Sequence, residues 1–250
     1  MKKGFTLIEL SIVLVIIGLL IGGILVGQSL MDSAKINSFI KFVSQADIAV
    51  SQFKNKYKGL PGDAKAFGGD GDGVLETAVM NSGGASDMLL TYETANFWPH
   101  LSQTGFMPDK VIYDNDVSTG IKSGLDVPND KNADQKGSGV AVNMVSTWGS
   151  GARFYYFCDL SITTTPDYST GVPAYSKPSY KPVTVQAIDQ KLDDGVIRVA
   201  NMATYSGIVS TFGNVSYGMD CYDTTTLAPK INTSTPQCCI RVKILGIAGN

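Results

Sequence analysis

A continuous run of apolar side chains occupies residues 5–27, and Glu9 carries the only charge within it. As a helix rising about 1.5 Å per residue, about 20 such residues cross the hydrocarbon of a bilayer. A carboxylate inside the run is costly, by about 2.5–3.5 kcal/mol at the bilayer centre on insertion scales, so we treat it as a functional candidate. The pattern predicts a membrane-spanning helix at residues 5–27 that retains one acid.

The apolar pattern changes after this run but does not stop. Apolar side chains recur every three or four positions up to Tyr57, with lysine, asparagine, glutamine and aspartate between them, as in an amphipathic helix. Pro61 is the first proline, and Gly59 is a suitable stop beyond the last apolar position. One continuous helix over residues 5–58 would measure about 80 Å and would pack the stripe of its second half against a folded head. The stripe consists of Ile36, Phe39, Ile40, Val43, Ala46, Val50, Phe53 and Tyr57.

Residues 59–250 are long enough for one domain with a buried core, and their many glycine, serine, threonine, asparagine and aspartate residues suit a loop-rich head. Long polar stretches at residues 114–139 and 161–180 predict surface loops. Apolar and aromatic segments predict strands, although residues 182–188 are also compatible with a helix. These elements predict an α+β fold, in which the long N-terminal helix packs on an antiparallel sheet. The predicted strands are residues 139–145, 152–157, 182–188, 195–199, 208–212 and 240–247.

Composition narrows the classes of function. The formal net charge is −2, with 20 basic and 22 acidic side chains, and no basic stripe of the kind that binds nucleic acid stands out. We therefore predict no nucleic-acid partner. The chain has no nucleophile elbow, phosphate-binding loop or zinc-protease helix motif, and its single histidine, His100, lies in an aromatic segment where a structural role is expected. These features favour a protein that is not an enzyme.

All four cysteines lie beyond the apolar run, at Cys158, Cys221, Cys238 and Cys239. They lack the paired spacing of a zinc site, so we predict structural disulfides formed in an oxidising compartment. Adjacent cysteines rarely bond to each other because the geometry is strained. We therefore expect Cys221 to bond one member of the adjacent pair and Cys158 the other, which leaves the connectivity open.

The start of the apolar run carries a motif. Lys2 and Lys3 precede Gly4, a small residue at a candidate cut site, and Phe5 then opens the run. An ordinary secretory signal peptide also begins with positive charge, but this run is too long, and no small-x-small cleavage site followed by a polar start is obvious at its end. An uncleaved membrane anchor would fit the length and would leave Glu9 unexplained.

This motif resembles the class III signal of type IV pilins and of the pseudopilins of type II secretion. The resemblance implies that a prepilin peptidase cuts after Gly4, that the new N-terminal Phe5 is N-methylated, and that Glu9 serves assembly. It covers only the leader and the beginning of the helix. Gly4, Phe5 and Glu9 match the signal residue for residue, and Thr6, Leu7, Ile8 and Leu10 complete its usual run.

From this resemblance we expect a structural subunit, a minor pilin or pseudopilin of a type IV pilus or type II secretion pseudopilus. Its partners would be prepilin peptidase, other pilin or pseudopilin subunits, and an inner-membrane assembly platform with its ATPase. Residues 1–4 would be the leader, residues 5–58 the helix and residues 59–250 a periplasmic head that reaches a filament or the cell surface after assembly. The alternative is a membrane-anchored periplasmic binding or enzymatic protein with a pilin-like N-terminus.

A physical role for Glu9 follows from these expectations. After cleavage, Phe5 would carry a free α-amino group that is largely protonated at neutral pH. Within one subunit we expect neither this cation nor the Glu9 carboxylate to find a partner in apolar surroundings. Subunits stacked with an axial offset would bring the two charges together, which would offset both desolvation costs and set the register of the filament.

A second, shorter resemblance follows the helix. Residues 60–63 read Leu-Pro-Gly-Asp, residues 69–73 read Gly-Asp-Gly-Asp-Gly, and residues 98–101 supply a Trp-x-His-Leu segment. This order is similar to a recurrent arrangement in pilin-like proteins of bacterial secretion and pilus systems, and so are residues 187–195. The resemblance implies membership of such a group of proteins and no particular chemistry.

Two acidic segments of this head are weak candidates for calcium. Asp70 and Asp72 could offer carboxylates from a flexible loop, and so could Asp193 and Asp194. Some pseudopilins bind calcium in the head, and calcium is the only cofactor that we consider for this chain. The full calcium-loop signature is not met in the first segment, so solvated acidic turns are the stronger expectation. The positions that fail it are Val74, Leu75 and Asn81.

Overall fold

The structure is a computed structural model. The described residues form, in chain order, two helices joined by a 3-10 turn, two strands, a third helix and three strands. Phe5 and most of the predicted loops at residues 114–139 and 161–180 lie outside the described residues. The structure describes residues 4, 6–73, 75, 93–112, 127–134, 138–145, 152–159, 178–195, 198–199, 209–212, 221, 230, 235–236 and 238–245. The elements are α1 (Leu7–Tyr57), a 3-10 turn (Lys65–Phe67), α2 (Glu93–Gln103), β1 (Gly139–Val145), β2 (Ala152–Cys158), α3 (Pro182–Leu192), β3 (Arg198–Val199), β4 (Val209–Phe212) and β5 (Cys239–Lys243).

Helix α1 is one uninterrupted helix of 51 residues, which corresponds to about 77 Å. It ends at Lys58, whose φ of 59° is left-handed and whose N–H donates to the carbonyl of Lys54 at 2.9 Å. The glycine predicted as the stop, Gly59, instead lies one residue farther on. A Cβ there would lie 2.8 Å from the Cα of Ala64, so this glycine permits a close turn of the backbone into the head.

The two halves of α1 have different surroundings, as the sequence predicts. Side chains from Leu7 to Met31 project from the head and their large apolar groups are exposed. From Phe39 onward, one stripe of the helix is buried against the head, whereas Ile36, Ile40 and Tyr57 are partly buried. The amphipathic second half therefore packs as expected. The buried residues are Phe39, Val43, Ala46, Ala49, Val50 and Phe53.

The strands form one sheet with the order β1-β2-β5-β4-β3. Three neighbouring pairs are antiparallel, and β3 pairs parallel with β4 at one edge. In the centre of the sheet, Tyr155 of β2 lies opposite Val242 of β5. The predicted α+β class, a long helix packed on an antiparallel sheet, is confirmed, although the edge pair β3–β4 is parallel.

Several predicted strands differ from the structure. Residues 182–188 belong to α3, so their interpretation as a strand was wrong and the helical alternative is correct. Helix α3 begins with Pro182 in its first turn and buries Val185 and Ile188, which lie three residues apart on one helical face. Within the strand predicted at residues 195–199, the structure describes β3 at Arg198–Val199, and residues 196–197 lie outside the described residues. The last strand begins at Cys239 and ends at Lys243.

Aromatic contacts join α1 to the sheet. The ring of Phe39 lies 4.5 Å from that of Phe157 on β2, measured between centroids. The hydroxyl of Tyr155, two residues earlier on the same face of β2, donates to Asp47 of α1 at 3.1 Å. Trp98 of α2 stacks on Tyr155 at 5.8 Å. The core of the head is therefore formed between α1, α2 and one face of the sheet.

Two disulfides link the C-terminal segment to the rest of the head. Cys158 bonds Cys239 and Cys221 bonds Cys238, with Cα–Cα distances of 5.1 and 5.0 Å. The first bond joins β2 to β5 next to the paired residues Phe157 and Ile240. The register of these two strands therefore selects Cys239 as the partner of Cys158.

Candidate functional site

The N-terminal motif forms the beginning of α1. Thr6 is the N-cap residue, and Glu9 occupies the third helical position. The Oε2 atom of Glu9 accepts from the Thr6 N–H at 2.8 Å and from the Thr6 hydroxyl at 2.7 Å, and the Glu9 N–H donates to that hydroxyl at 3.3 Å. These reciprocal contacts are a capping box, which satisfies donors at the helix start that have no partner within the helix.

The capping box corrects one expectation. We expected the Glu9 carboxylate to lack a partner within one subunit, and the structure gives it two donors on Thr6. The sequence analysis named Thr6 only as part of the signal and missed its role as a helix cap, although a threonine followed three residues later by glutamate and an apolar run is the usual signature of this cap. Because cleavage after Gly4 would leave the Thr6 amide intact, the cap does not depend on the leader.

The apolar first half of α1 is suited to a membrane. Among the described residues, α1 is the one helix long and apolar enough to cross a bilayer, and none of its most apolar stretch is buried against the head. Water would meet the exposed apolar side chains of Leu7–Met31 in a free monomer, and burying such side chains is worth about 1.5–3 kcal/mol each. A bilayer or neighbouring helices must therefore cover this segment.

The structure brings together the three parts of the second sequence resemblance. The N–H of Gly62, in the Leu-Pro-Gly-Asp turn, donates to Nδ1 of His100 at 2.9 Å. The N–H of Asp70 donates to Oε1 of Glu93, the first residue of α2, at 3.2 Å. Gly62 has a φ of 96°, and a Cβ there would lie 2.3 Å from the carbonyl oxygen of Glu93. The turn after α1 is therefore packed directly on α2. No helix was predicted at Glu93–Gln103 from the sequence.

His100 is a buried part of this packing. Its ring stacks on Phe53 at 6.2 Å and lies 4.8 Å from Phe67, between centroids. Burial lowers the pKa of His100 from 6.5 to about 4. The imidazole is therefore neutral at neutral pH and accepts the Gly62 N–H through Nδ1, which is a packing role.

The low pKa of His100 makes a contribution to stability that depends on pH. Between pH 6.5 and about 4 the unfolded chain binds a proton at His100 and the folded chain does not, so the free energy of unfolding falls as the pH falls through this window. The shift sets an upper limit of about 3 kcal/mol on this contribution, which solvent screening of the ring reduces. In His100→Asn, the Oδ1 atom can replace Nδ1 as acceptor, and this contribution should vanish. Urea unfolding of the full chain in detergent, followed by tryptophan fluorescence between pH 7 and pH 4, measures the difference.

The wild type is the reference at each pH. Asp130 has its pKa raised to about 6 by burial, so its own contribution has the opposite sign and makes the folded chain less stable as the pH rises from about 4 to 6. This contribution is common to both chains and cancels when they are compared. Parallel pH profiles for His100→Asn and the wild type would show that His100 does not titrate as described.

The candidate calcium residues do not form one site. Asp70 and Asp72 lie together in the loop after α1, where Asp63 joins them. Asp193 caps the end of α3, and its Oδ2 atom accepts from the N–H of Val209 at 3.5 Å. Asp194 follows in an exposed position. In the sequence, Asp63 was recognised only as part of the Leu-Pro-Gly-Asp turn and not as a candidate ligand. A short sequence signature cannot show that the glycine-rich segment folds back onto this turn.

The comparisons with known proteins agree with the N-terminal motif. Residues 1–25 match the prokaryotic N-terminal methylation motif, which is the prepilin-type cleavage and methylation signal of type IV pilins and pseudopilins. No curated protein and no solved structure matches the chain. The chain therefore begins with a signal that supports a precursor of the pilin or pseudopilin type, and such a signal implies processing by prepilin peptidase, assembly with other pilins and membrane anchoring.

Proposed function

We propose that this chain is a structural subunit, a minor pilin or pseudopilin, of a type IV pilus or a type II secretion pseudopilus. One observation carries the proposal: the methylation motif at residues 1–25 leads directly into a single helix, Leu7–Tyr57. The first half of this helix is apolar and exposed, and its second half is the spine of the head. Such a helix can leave the bilayer for the core of a filament without any change in the fold of the head.

The proposed topology follows from charge and redox chemistry. Residues 1–4 form the leader, residues 5–27 cross the inner membrane once, and residues 59–250 form the periplasmic head. Lys2 and Lys3 lie at the cytoplasmic end, in agreement with the preference of cationic residues for that side. Both disulfides then form in an oxidising compartment, where such bonds persist.

Assembly is proposed to proceed through α1. An inner-membrane platform driven by its ATPase would draw the processed chain out of the bilayer and pack α1 beside the corresponding helices of other subunits. The leader must first be removed, because Lys2 and Lys3 would otherwise bring two charges to the start of the packed helix. The exposed apolar surface of Leu7–Met31 supplies the area that the neighbouring helices cover.

Processing gives the direct test of the proposal. The mature chain should begin with N-methylated Phe5 in the membrane fraction, and the same peptide should occur in sheared filaments or pseudopili. Gly4→Leu should block the cut, because the peptidase requires a small residue there, whereas Gly4→Ala should be cut at least in part. Intact mass and mass spectrometry of the N-terminal peptide measure these outcomes.

Two results would contradict the proposal in different ways. A mature N-terminus near residue 28, as an ordinary signal peptidase would leave, would exclude a pilin-type subunit. An N-methylated Phe5 in a chain that never enters filaments, with a ligand bound to the head and no loss of filaments or secretion on gene deletion, would favour the alternative of a membrane-anchored binding or enzymatic protein.

A further inference from the structure

Three carboxylates converge in the loop between α1 and α2. Asp63 lies in the turn after α1, whereas Asp70 and Asp72 lie in the glycine-rich segment that folds back over it. One carboxylate oxygen of each lies within 4.8 Å of the others. Asp63 is buried, and Asp70 and Asp72 are exposed. We refer to Asp63, Asp70 and Asp72 as the acidic loop cluster.

The buried member of this cluster has an oxygen without a partner. Asp63 is only 1% exposed. Its Oδ2 atom accepts from the N–H of Gly73 at 3.1 Å, but its Oδ1 atom is buried and has no hydrogen-bond partner among the described residues. Burying this oxygen lowers the stability of the fold, because the oxygen has lost its hydrogen bonds to water and makes no hydrogen bond to the protein. The neighbouring carboxylates of Asp70 and Asp72 add repulsion at the same point.

The backbone holds these charges together against their repulsion. The Gly71 N–H donates to the carbonyl oxygen of Asp63 at 3.0 Å. Asp72 donates its own N–H to Oδ1 of Asp70 at 3.0 Å. A Cβ at Gly69 would lie 2.1 Å from the carbonyl oxygen of Asp63, so only glycine allows the loop to fold back this closely. The arrangement is therefore built by the loop and is not a chance meeting of mobile side chains.

We propose that the acidic loop cluster binds one calcium ion, with the unpartnered oxygen of Asp63 as its buried ligand. Calcium takes six to eight oxygen ligands at about 2.3–2.6 Å, so two of its ligands can lie up to about 5 Å apart. The separation of the three carboxylates falls within that span. The cation would neutralise their repulsion, and water would supply the remaining ligands on the exposed side. Magnesium fits less well, because it requires near-octahedral geometry at about 2.0–2.1 Å.

The site differs from the linear calcium loop that the sequence analysis tested. In that loop the ligands follow one another at fixed positions, whereas here Asp63 comes from before the glycine-rich segment. Bound calcium would fix this segment on the turn that packs against α2. Glu93, which accepts from the N–H of Asp70, would transmit this order to the start of α2. The proposal concerns the folded head and does not depend on the role of the chain in a filament.

Calorimetric titration of the full chain in detergent tests the site. After treatment with EGTA and exchange into metal-free buffer, the wild type should bind one Ca²⁺ per chain and unfold at a higher temperature with Ca²⁺ than without. Asp63→Asn and Asp72→Asn should each weaken the affinity at least about tenfold, because calcium affinity depends on the number of charged ligands. Asp194→Asn makes the same change of charge at the other acidic turn and should bind like the wild type.

The Asp72→Asn variant separates loss of calcium binding from loss of folding. Asp63→Asn could disturb folding, but Asp72 is exposed and its replacement leaves the core untouched. Absence of both binding heat and a thermal shift in the wild type would overturn the proposal, and so would wild-type affinity in Asp72→Asn. Loss of binding in Asp194→Asn would place the ion elsewhere, and equally tight binding of Mg²⁺ would overturn the assignment to calcium. None of these results alters the processing at Gly4 and Phe5, so the two proposals can fail separately.

Discussion

A Glu9→Gln chain should be processed and inserted into the membrane like the wild type, yet enter filaments at least about a hundredfold less efficiently. The proposed cause is the loss of a charge pair between the Glu9 carboxylate of one subunit and the Phe5 amine of its neighbour. Removing one partner of a desolvated pair costs about 3–5 kcal/mol, because the other charge stays buried and unpaired. Each 1.4 kcal/mol is a factor of ten in the equilibrium between free and incorporated subunits.

The capping box makes glutamine the informative replacement. Within one subunit, Glu9 accepts two hydrogen bonds from Thr6 and so fixes the start of α1. A glutamine at the same helical position can accept the same bonds through its amide oxygen, so Glu9→Gln removes the charge and keeps the cap. Glu9→Val removes both, and Glu9→Asp, whose carboxylate is one methylene shorter, should retain part of the assembly activity.

Thr6→Val is the matched control. It deletes the hydroxyl of the cap and keeps the charge of Glu9, so it should assemble nearly as well as the wild type. Each variant would be expressed in a strain that lacks the wild-type gene, and its amount in sheared filaments would be compared with its amount in membranes. If Glu9→Gln assembled like the wild type while Thr6→Val did not, Glu9 would act through the helix cap and the intersubunit charge pair would be wrong.

Removing the bond between Cys158 and Cys239 should reduce the free energy of unfolding by about 4.5 kcal/mol in the chain-entropy description. Removing the bond between Cys221 and Cys238 should reduce it by about 3 kcal/mol. The first bond spans a sequence separation of 81 residues and the second a separation of 17. A longer closed loop restricts the unfolded chain more, so the difference between the two losses follows from these separations.

Both bonds would be removed as pairs of alanines. All four cysteines are fully buried, so alanine avoids the burial of a new hydroxyl and leaves a comparable gap at each site. Urea unfolding in detergent without reductant measures the two losses, and a reduced wild-type chain shows the combined effect. The reverse ranking would mean that strand packing around β2 and β5, and not loop closure, decides the contribution of each bond.

The sequence by itself determined the long N-terminal helix, its signal and one strand of this protein. Helix α1 was predicted at residues 5–58 and observed at Leu7–Tyr57, because a helix without proline and with an unbroken apolar period is decided by local preferences. Strand β1 was predicted with the bounds that the structure shows, Gly139–Val145. The methylation motif needs no fold to be recognised, since the spacing of Gly4, Phe5 and Glu9 is itself the signal.

Tertiary contacts decided α3. Val185 and Ile188 fit one face of a helix, but a short apolar segment also fits a buried strand. In the structure, Oδ2 of Asp134 accepts from the N–H of Lys181 at 2.8 Å and from the hydroxyl of Thr184 at 2.9 Å. This carboxylate comes from a segment far away in the chain and satisfies the start of the helix, and no local pattern could have shown that it would be there.

Tertiary structure also decided the disulfide connectivity and the acidic loop cluster. Cys239 faces Cys158 because β2 and β5 pair in one register, and a shift by a single residue would have offered Cys238 instead. Asp63 joins Asp70 and Asp72 because the glycine-rich loop folds back onto the turn after α1. Local pattern fixes the identity of an element, whereas strand register and loop closure depend on the packing of distant segments, which a single sequence does not display.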